Sequence, residues 1–179
     1  MKPKIKKKIV FVCTGNTCRS PMAEVILRER LAREKLTLTV GSAGMKAKRG
    51  DTMNAKTAQV LINKGIEVAE FKSKKVDKRT LKDSLAIVTM TDSQRDLLME
   101  MRWKAMREAG EEEFENNVYS FSELVGYEIL DPYGKGVECY EYVYELLVGG
   151  MDALIDKLVT DELRSQFTKK TRKKKSIQE

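Results

Sequence analysis

Near the start of the chain, Cys13-Thr14-Gly15-Asn16-Thr17-Cys18-Arg19-Ser20-Pro21 sets a thiol and a guanidinium six residues apart in a stretch rich in turn formers. Between a strand and a helix, such a loop lets several backbone N–H groups converge on one anion, and a phosphate suits it. Arg19 can add bidentate, charge-assisted hydrogen bonds that strengthen as charge shifts in a transition state. Cys13 is then the attacking atom, because the loop amides, the helix N-terminus and Arg19 all favour its thiolate. Ser20 is placed to add a hydroxyl hydrogen bond to that sulfur. A cysteinyl phosphate forms readily only if the departing group receives a proton, so a carboxylic acid must reach the loop from elsewhere. Asp131 is the best candidate. Pro132 restricts it to extended geometry, and Tyr133-Gly134 makes a turn that would hold the carboxyl above the loop. The chain has no histidine, so proton transfer falls to carboxylates, thiols or hydroxyls, and His-based zinc or Ser-His-Asp chemistry is excluded.

These residues need a scaffold, and the apolar pattern predicts one. Lys8 to Val12 reads as a strand that stops at Cys13. Ser20 suits a helix N-cap and Pro21 the first helical position, with Ala23, Ile26, Leu27 and Leu31 on one buried face. Leu36 to Val40 reads as a second strand ending in Gly41-Ser42-Ala43-Gly44, and Ala55, Ala58, Leu61 and Ile62 as a helix closed by Gly65. Leu85 to Met90 is almost wholly apolar, as a strand covered on both faces should be, and Thr91-Asp92 offers caps for the next helix. Val118 to Phe121 is a weaker strand. Val137, Tyr140, Tyr144, Leu147, Met151, Leu154 and Leu158 mark a long amphipathic helix, with an interruption expected at Gly149-Gly150. Residues 46–51 and 110–117 read as exposed loops. This alternation predicts an α/β fold in three layers, a parallel sheet flanked by helices, with function at the carboxyl ends of the strands.

With 179 residues the chain is expected to form one domain, over residues 1–163, followed by a disordered basic tail over 164–179. The net charge of +7 is uneven: the eight N-terminal residues and the last sixteen together carry +11, leaving the body near −4. Such ends could contact nucleic acid, but charge runs at termini are usually solvated, and nucleic acid is not the expected partner. No run reaches the ~20 apolar residues of a membrane span and no signal peptide is evident. Three cysteines make no disulfide framework, which points to a reducing, cytoplasmic setting. Cys18 reads either as packing or as a redox partner able to trap Cys13 in a disulfide, and Cys139 as a core residue.

The nine residues CTGNTCRSP after an apolar strand, SAG at Ser42 to Gly44 and the late DPYG at Asp131 to Gly134 resemble the low-molecular-weight protein tyrosine phosphatase family over roughly residues 7 to 160. The resemblance implies a four-stranded parallel sheet, no metal and no cofactor, a phosphorylated protein as substrate, and the roles already assigned to Cys13, Arg19 and Asp131. It also implies that Asn16 stabilises a strained loop backbone and that Ser20 and Ser42 support it. Thr14, Gly15, Asn16, Thr17, Cys18, Ser20 and Tyr133 complete the expected phosphate and substrate site. Tyrosine-directed members usually carry an aromatic soon after Ser-Ala-Gly and paired aromatics after Asp-Pro, whereas here Met45 to Arg49 has none and Gly134 follows Tyr133. Thr17 resembles the bacterial protein-arginine phosphatases of the same family, since a hydroxyl and a carboxylate can accept the N–H groups of a guanidinium. Phosphoarginine is therefore the expected substrate, phosphotyrosine the alternative. Two other classes remain. A thioredoxin-coupled arsenate reductase would need two further cysteines in the second half, where Cys139 stands alone. A non-catalytic phosphate-binding or nucleic-acid-binding module would not need Cys13, Arg19 and Asp131 together.

Overall fold

The structure, a computed structural model, describes residues 7–110 and 116–168. Along the chain lie β1 (Lys8–Cys13), α1 (Arg19–Arg33), β2 (Thr39–Gly44), α2 (Ala55–Asn63), α3 (Lys78–Asp83), β3 (Ala86–Thr89), α4 (Asp92–Glu108), β4 (Val118–Ser120), α5 (Phe121–Val125), α6 (Val137–Leu158) and α7 (Asp161–Phe167). The four strands form one sheet in the order β2-β1-β3-β4, and every pairing is parallel. Helices cover both faces, as the continuous apolar runs of β1 and β3 require. Ile9, Phe11, Cys13 and Val88 point into the larger core with Leu27 of α1, Leu61 of α2 and Leu147 of α6. Val10, Val12 and Ile87 point the other way, onto Leu81 of α3 and Leu98 of α4. The three-layer α/β arrangement read from the sequence is the arrangement found.

Several boundaries differ for physical reasons. β2 starts only at Thr39 and runs through Gly41-Ser42-Ala43-Gly44, the stretch expected to end it, because these residues pair in register with Val10 to Cys13. Gly44 is glycine because the loop after Cys13 presses on the strand end: a Cβ there would lie 2.8 Å from Thr14 O and 2.9 Å from Asn16 N. α1 begins at Arg19 with Cys18 at the N-cap, not at Ser20, whose hydroxyl is engaged elsewhere. α6 passes through Gly149-Gly150 without a break, and the glycine answers to packing: a Cβ at Gly150 would meet the Phe121 ring at 2.7 Å. The short helices α3 and α5 carry too few apolar positions to show a helical period. α5 nevertheless has a full capping box, Ser120 with Glu123. Asn117, expected in an exposed loop, is buried and donates to Ser84 O at 2.7 Å. The fold also extends past the boundary at 163: α7 reaches Phe167, whose carbonyl accepts from Thr37 N at 2.7 Å. The remainder of the expected tail, 169–179, lies outside the described residues.

Candidate active site

β1 delivers Cys13 to the carboxyl edge of the sheet, beside the switch in strand order between β1 and β3 where ligands of such sheets bind. The chain then curls through Thr14 to Cys18. Asn16 adopts a left-handed backbone, φ 57°, a conformation that asparagine tolerates better than most residues. Its side chain is a staple that keeps it there: Nδ2 donates to Ser20 Oγ and Ser42 Oγ, both at 2.9 Å, and Oδ1 accepts from Lys74 N at 2.8 Å. Ser42 Oγ donates onward to Glu24 Oε2 at 2.5 Å. A side chain with all these bonds satisfied and no exposure holds one loop conformation.

That conformation brings two polar groups to the sulfur. Asn16 N donates to Cys13 Sγ at 3.3 Å, and Ser20 Oγ lies 3.0 Å from the same atom. The α1 N-cap makes no side-chain hydrogen bond, so no capping side chain competes with an oxyanion for the Arg19 and Ser20 N–H groups; Pro21 has none and Met22 N donates to Cys18 O at 3.2 Å. Arg19 is buried, with Nη1 donating to Ile129 O at 3.3 Å and Nη2 to Asp131 Oδ2 at 2.9 Å. The ion pair brings the distal Asp131 to the phosphate loop across 112 residues of sequence. Asp131 Oδ1 accepts from Tyr133 N at 3.2 Å, the Asx turn that the Asp-Pro-Tyr-Gly sequence favours. Its carboxyl stays half exposed, able to meet a ligand.

Cys13, Thr14, Gly15, Thr17, Cys18, Arg19, Asp131 and Tyr133 line one cavity of about 660 Å³. Asn16, Ser20 and Ser42 stand behind it as supports. The cavity also takes Lys48, Asp51, Met53 and Asn54, which sequence reasoning missed. The one legible signal was Asn54 before an apolar-periodic run: it is the α2 N-cap, and its backbone N donates to Thr17 O at 2.9 Å. Gln94 was missed too. From the first turn of α4, its Nε2 donates to Thr14 Oγ1 at 3.2 Å. Cys18 Sγ lies 3.7 Å from the hydroxyl of buried Tyr140, and burial together with that contact pushes the phenol up from its ordinary value, so it stays neutral. Tyr140 is thus a core residue supporting the loop, whereas Tyr142 is exposed. Cys139, expected in the core, is only half-buried, and all three thiols are free. Among the described residues no cluster of carboxylates and thiols could hold a metal ion.

A family model described as low molecular weight phosphotyrosine protein phosphatase matches residues 8–167. A protein-arginine-phosphatase of Geobacillus stearothermophilus is 32% identical over 155 residues, covering 87% of this chain and 98% of its own. A low molecular weight protein-tyrosine-phosphatase of Staphylococcus epidermidis is 30% identical over 154 residues, covering 84% and 96%. The solved structure of an arginine phosphatase from Geobacillus stearothermophilus superposes with a TM-score of 0.73 at 31% identity, covering 87% of this chain and 95% of that one.

Proposed function

Because the chain belongs to the low molecular weight phosphotyrosine protein phosphatase family, whose members are cysteine-dependent hydrolases, we propose that it dephosphorylates proteins through a cysteinyl-phosphate intermediate, with phosphoarginine as the preferred substrate. In the first step Cys13 Sγ attacks phosphorus, forming an S–P bond while the P–N or P–O bond to the substrate breaks. The Asp131 carboxyl gives its proton to the departing atom. Arg19 and the loop amides hold the three equatorial oxygens, where charge gathers. In the second step a water oxygen attacks phosphorus, its proton passes to the Asp131 carboxylate, and the S–P bond breaks to return the thiolate and inorganic phosphate. No metal takes part. The observation that carries this reading is a sulfur receiving the Asn16 N–H and facing the Ser20 hydroxyl in a cavity that Arg19 and Asp131 also line.

The preference for phosphoarginine rests on the lining. Tyr133, 71% exposed, is the aromatic among the described lining residues, so a phenyl ring finds one wall and not two. Thr17 Oγ1 and the Asp51 carboxylate offer acceptors to a guanidinium instead. A reducing compartment, the cytoplasm, suits a nucleophile that must stay a thiolate, and no described helix is long and apolar enough to cross a membrane. The test compares kcat/KM for a phosphoarginine peptide and a phosphotyrosine peptide with one preparation in EDTA. Phosphoarginine is expected to be cleaved faster. A preference for phosphotyrosine would overturn the substrate assignment and leave the nucleophile in place; loss of activity in EDTA would overturn the metal-free mechanism.

A further inference from the structure

The geometry points to Lys56, on the first turn of α2, as the residue that positions the acid loop over the phosphate loop; this rests on Asp131 being the proton donor. Lys56 is half-buried, and its Nζ donates to the carbonyl oxygen of Lys135, at the end of the turn that begins at Asp131. Lys135 N in turn donates to Pro132 O at 2.9 Å, which closes that turn. The same ammonium stands 5.8 Å from the centroid of the Tyr140 ring, whose hydroxyl meets Cys18. A lysine that selects a main-chain carbonyl and an aromatic face is placed by the fold, unlike a solvated surface ion pair.

The first turn of α2 therefore touches both halves of the site. Asn54 N holds the phosphate loop through Thr17 O, and two residues later Lys56 holds the acid loop. On its other side the acid loop is fixed through Ile129, whose N donates to Met90 O at 2.9 Å and whose carbonyl accepts from Arg19. Between those anchors Asp131 has a half-exposed side chain. When a phosphoryl group takes the Arg19 donors, the carboxyl has to stay over the leaving atom without that ion pair. The Lys56 tether to Lys135 is what then limits its swing. Lys56 touches neither substrate nor reacting atoms and is a positioning residue.

The test reads leaving-group dependence. 4-Nitrophenyl phosphate departs with little help from an acid, whereas phenyl phosphate needs the proton. In Lys56→Met, kcat/KM for phenyl phosphate is expected to fall about tenfold or more, the scale of a sub-ångström misplacement, and for 4-nitrophenyl phosphate by much less. Lys56→Arg, which keeps a donor and a cation, recovers the phenyl phosphate rate. The ratio of the two esters within one preparation is independent of the fraction folded. Equal losses on both esters, or none, overturn the role of Lys56. Asp131→Asn in the same assay separates the two assignments: if it shows no leaving-group dependence, the acid itself is misassigned and Lys56 falls with it, whereas a dependent Asp131→Asn beside an independent Lys56→Met sinks Lys56 alone.

Discussion

At the residue scale, the chemistry asks three atoms from distant positions to share one small volume. Cys13 and Arg19 are joined by a loop that leaves little choice, but Asp131 arrives from 112 residues further along the chain, its carboxyl bonded to Arg19 and to the Tyr133 N–H. Replacing Asp131 with Asn keeps the shape and removes the proton, so turnover of a poor leaving group is expected to slow by about 10²–10⁴-fold with substrate affinity nearly unchanged, read as a kcat against KM split. Cys13→Ser is expected to abolish turnover and still bind inorganic phosphate, because loop amides and Arg19 do not depend on the sulfur. Isothermal titration with phosphate checks it. Thr17→Ile exchanges an acceptor for an apolar surface, and the ratio of phosphoarginine to phosphotyrosine cleavage is expected to fall. An unchanged ratio would mean that Thr17 is not the selector.

At the scale of elements, two glycines answer to different neighbours and give opposite signatures. Gly44 ends β2 against the backbone of the phosphate loop, which cannot yield without losing its shape. Gly44→Ala is expected to cost up to about 10²-fold in kcat/KM, with a matching loss of phosphate affinity, because the oxyanion donors move. Gly150 lies mid-helix in α6 against the buried ring of Phe121, far from the chemistry. Gly150→Ala overpacks that contact and is expected to destabilise the fold by about 1–3 kcal/mol, seen in thermal melting, with kcat/KM preserved well below the transition. If Gly150→Ala leaves the melting temperature unchanged, the contact with Phe121 is not what requires glycine there.

At the scale of the whole molecule, the sheet holds the loop that follows Cys13 at its centre, and α6 and α7 pack over the larger core. α7 packs Leu163 and Phe167 onto the larger core, and Arg164 bonds Glu34 and Asp156, both at 2.9 Å. The ion pairs are exposed enough to count for little; the apolar cover over Leu36 and the backbone bond from Thr37 N to Phe167 O count for more. A chain ending at Val159 is therefore expected to melt several degrees lower than one ending at Thr168. Equal melting temperatures for the two would show that α7 contributes nothing to stability.

The strand, loop and helix around Cys13 were legible in the sequence because their signals are local: an apolar run, a cluster of turn formers, then a helical stripe. The parallel sheet followed from the alternation of elements, and Asp131 from the stiffness that Pro132 confers on it. Lys74, Asn54, Gln94, Tyr140 and Lys56 were not legible as parts of the site, nor was the reason for Gly150. Each acts through a contact between segments far apart in sequence, and such a contact leaves no mark in composition or period. Which donors surround a sulfur, and which backbone a lysine can reach, depends on where strands and helices come to rest, and burial of the whole apolar surface decides that at once.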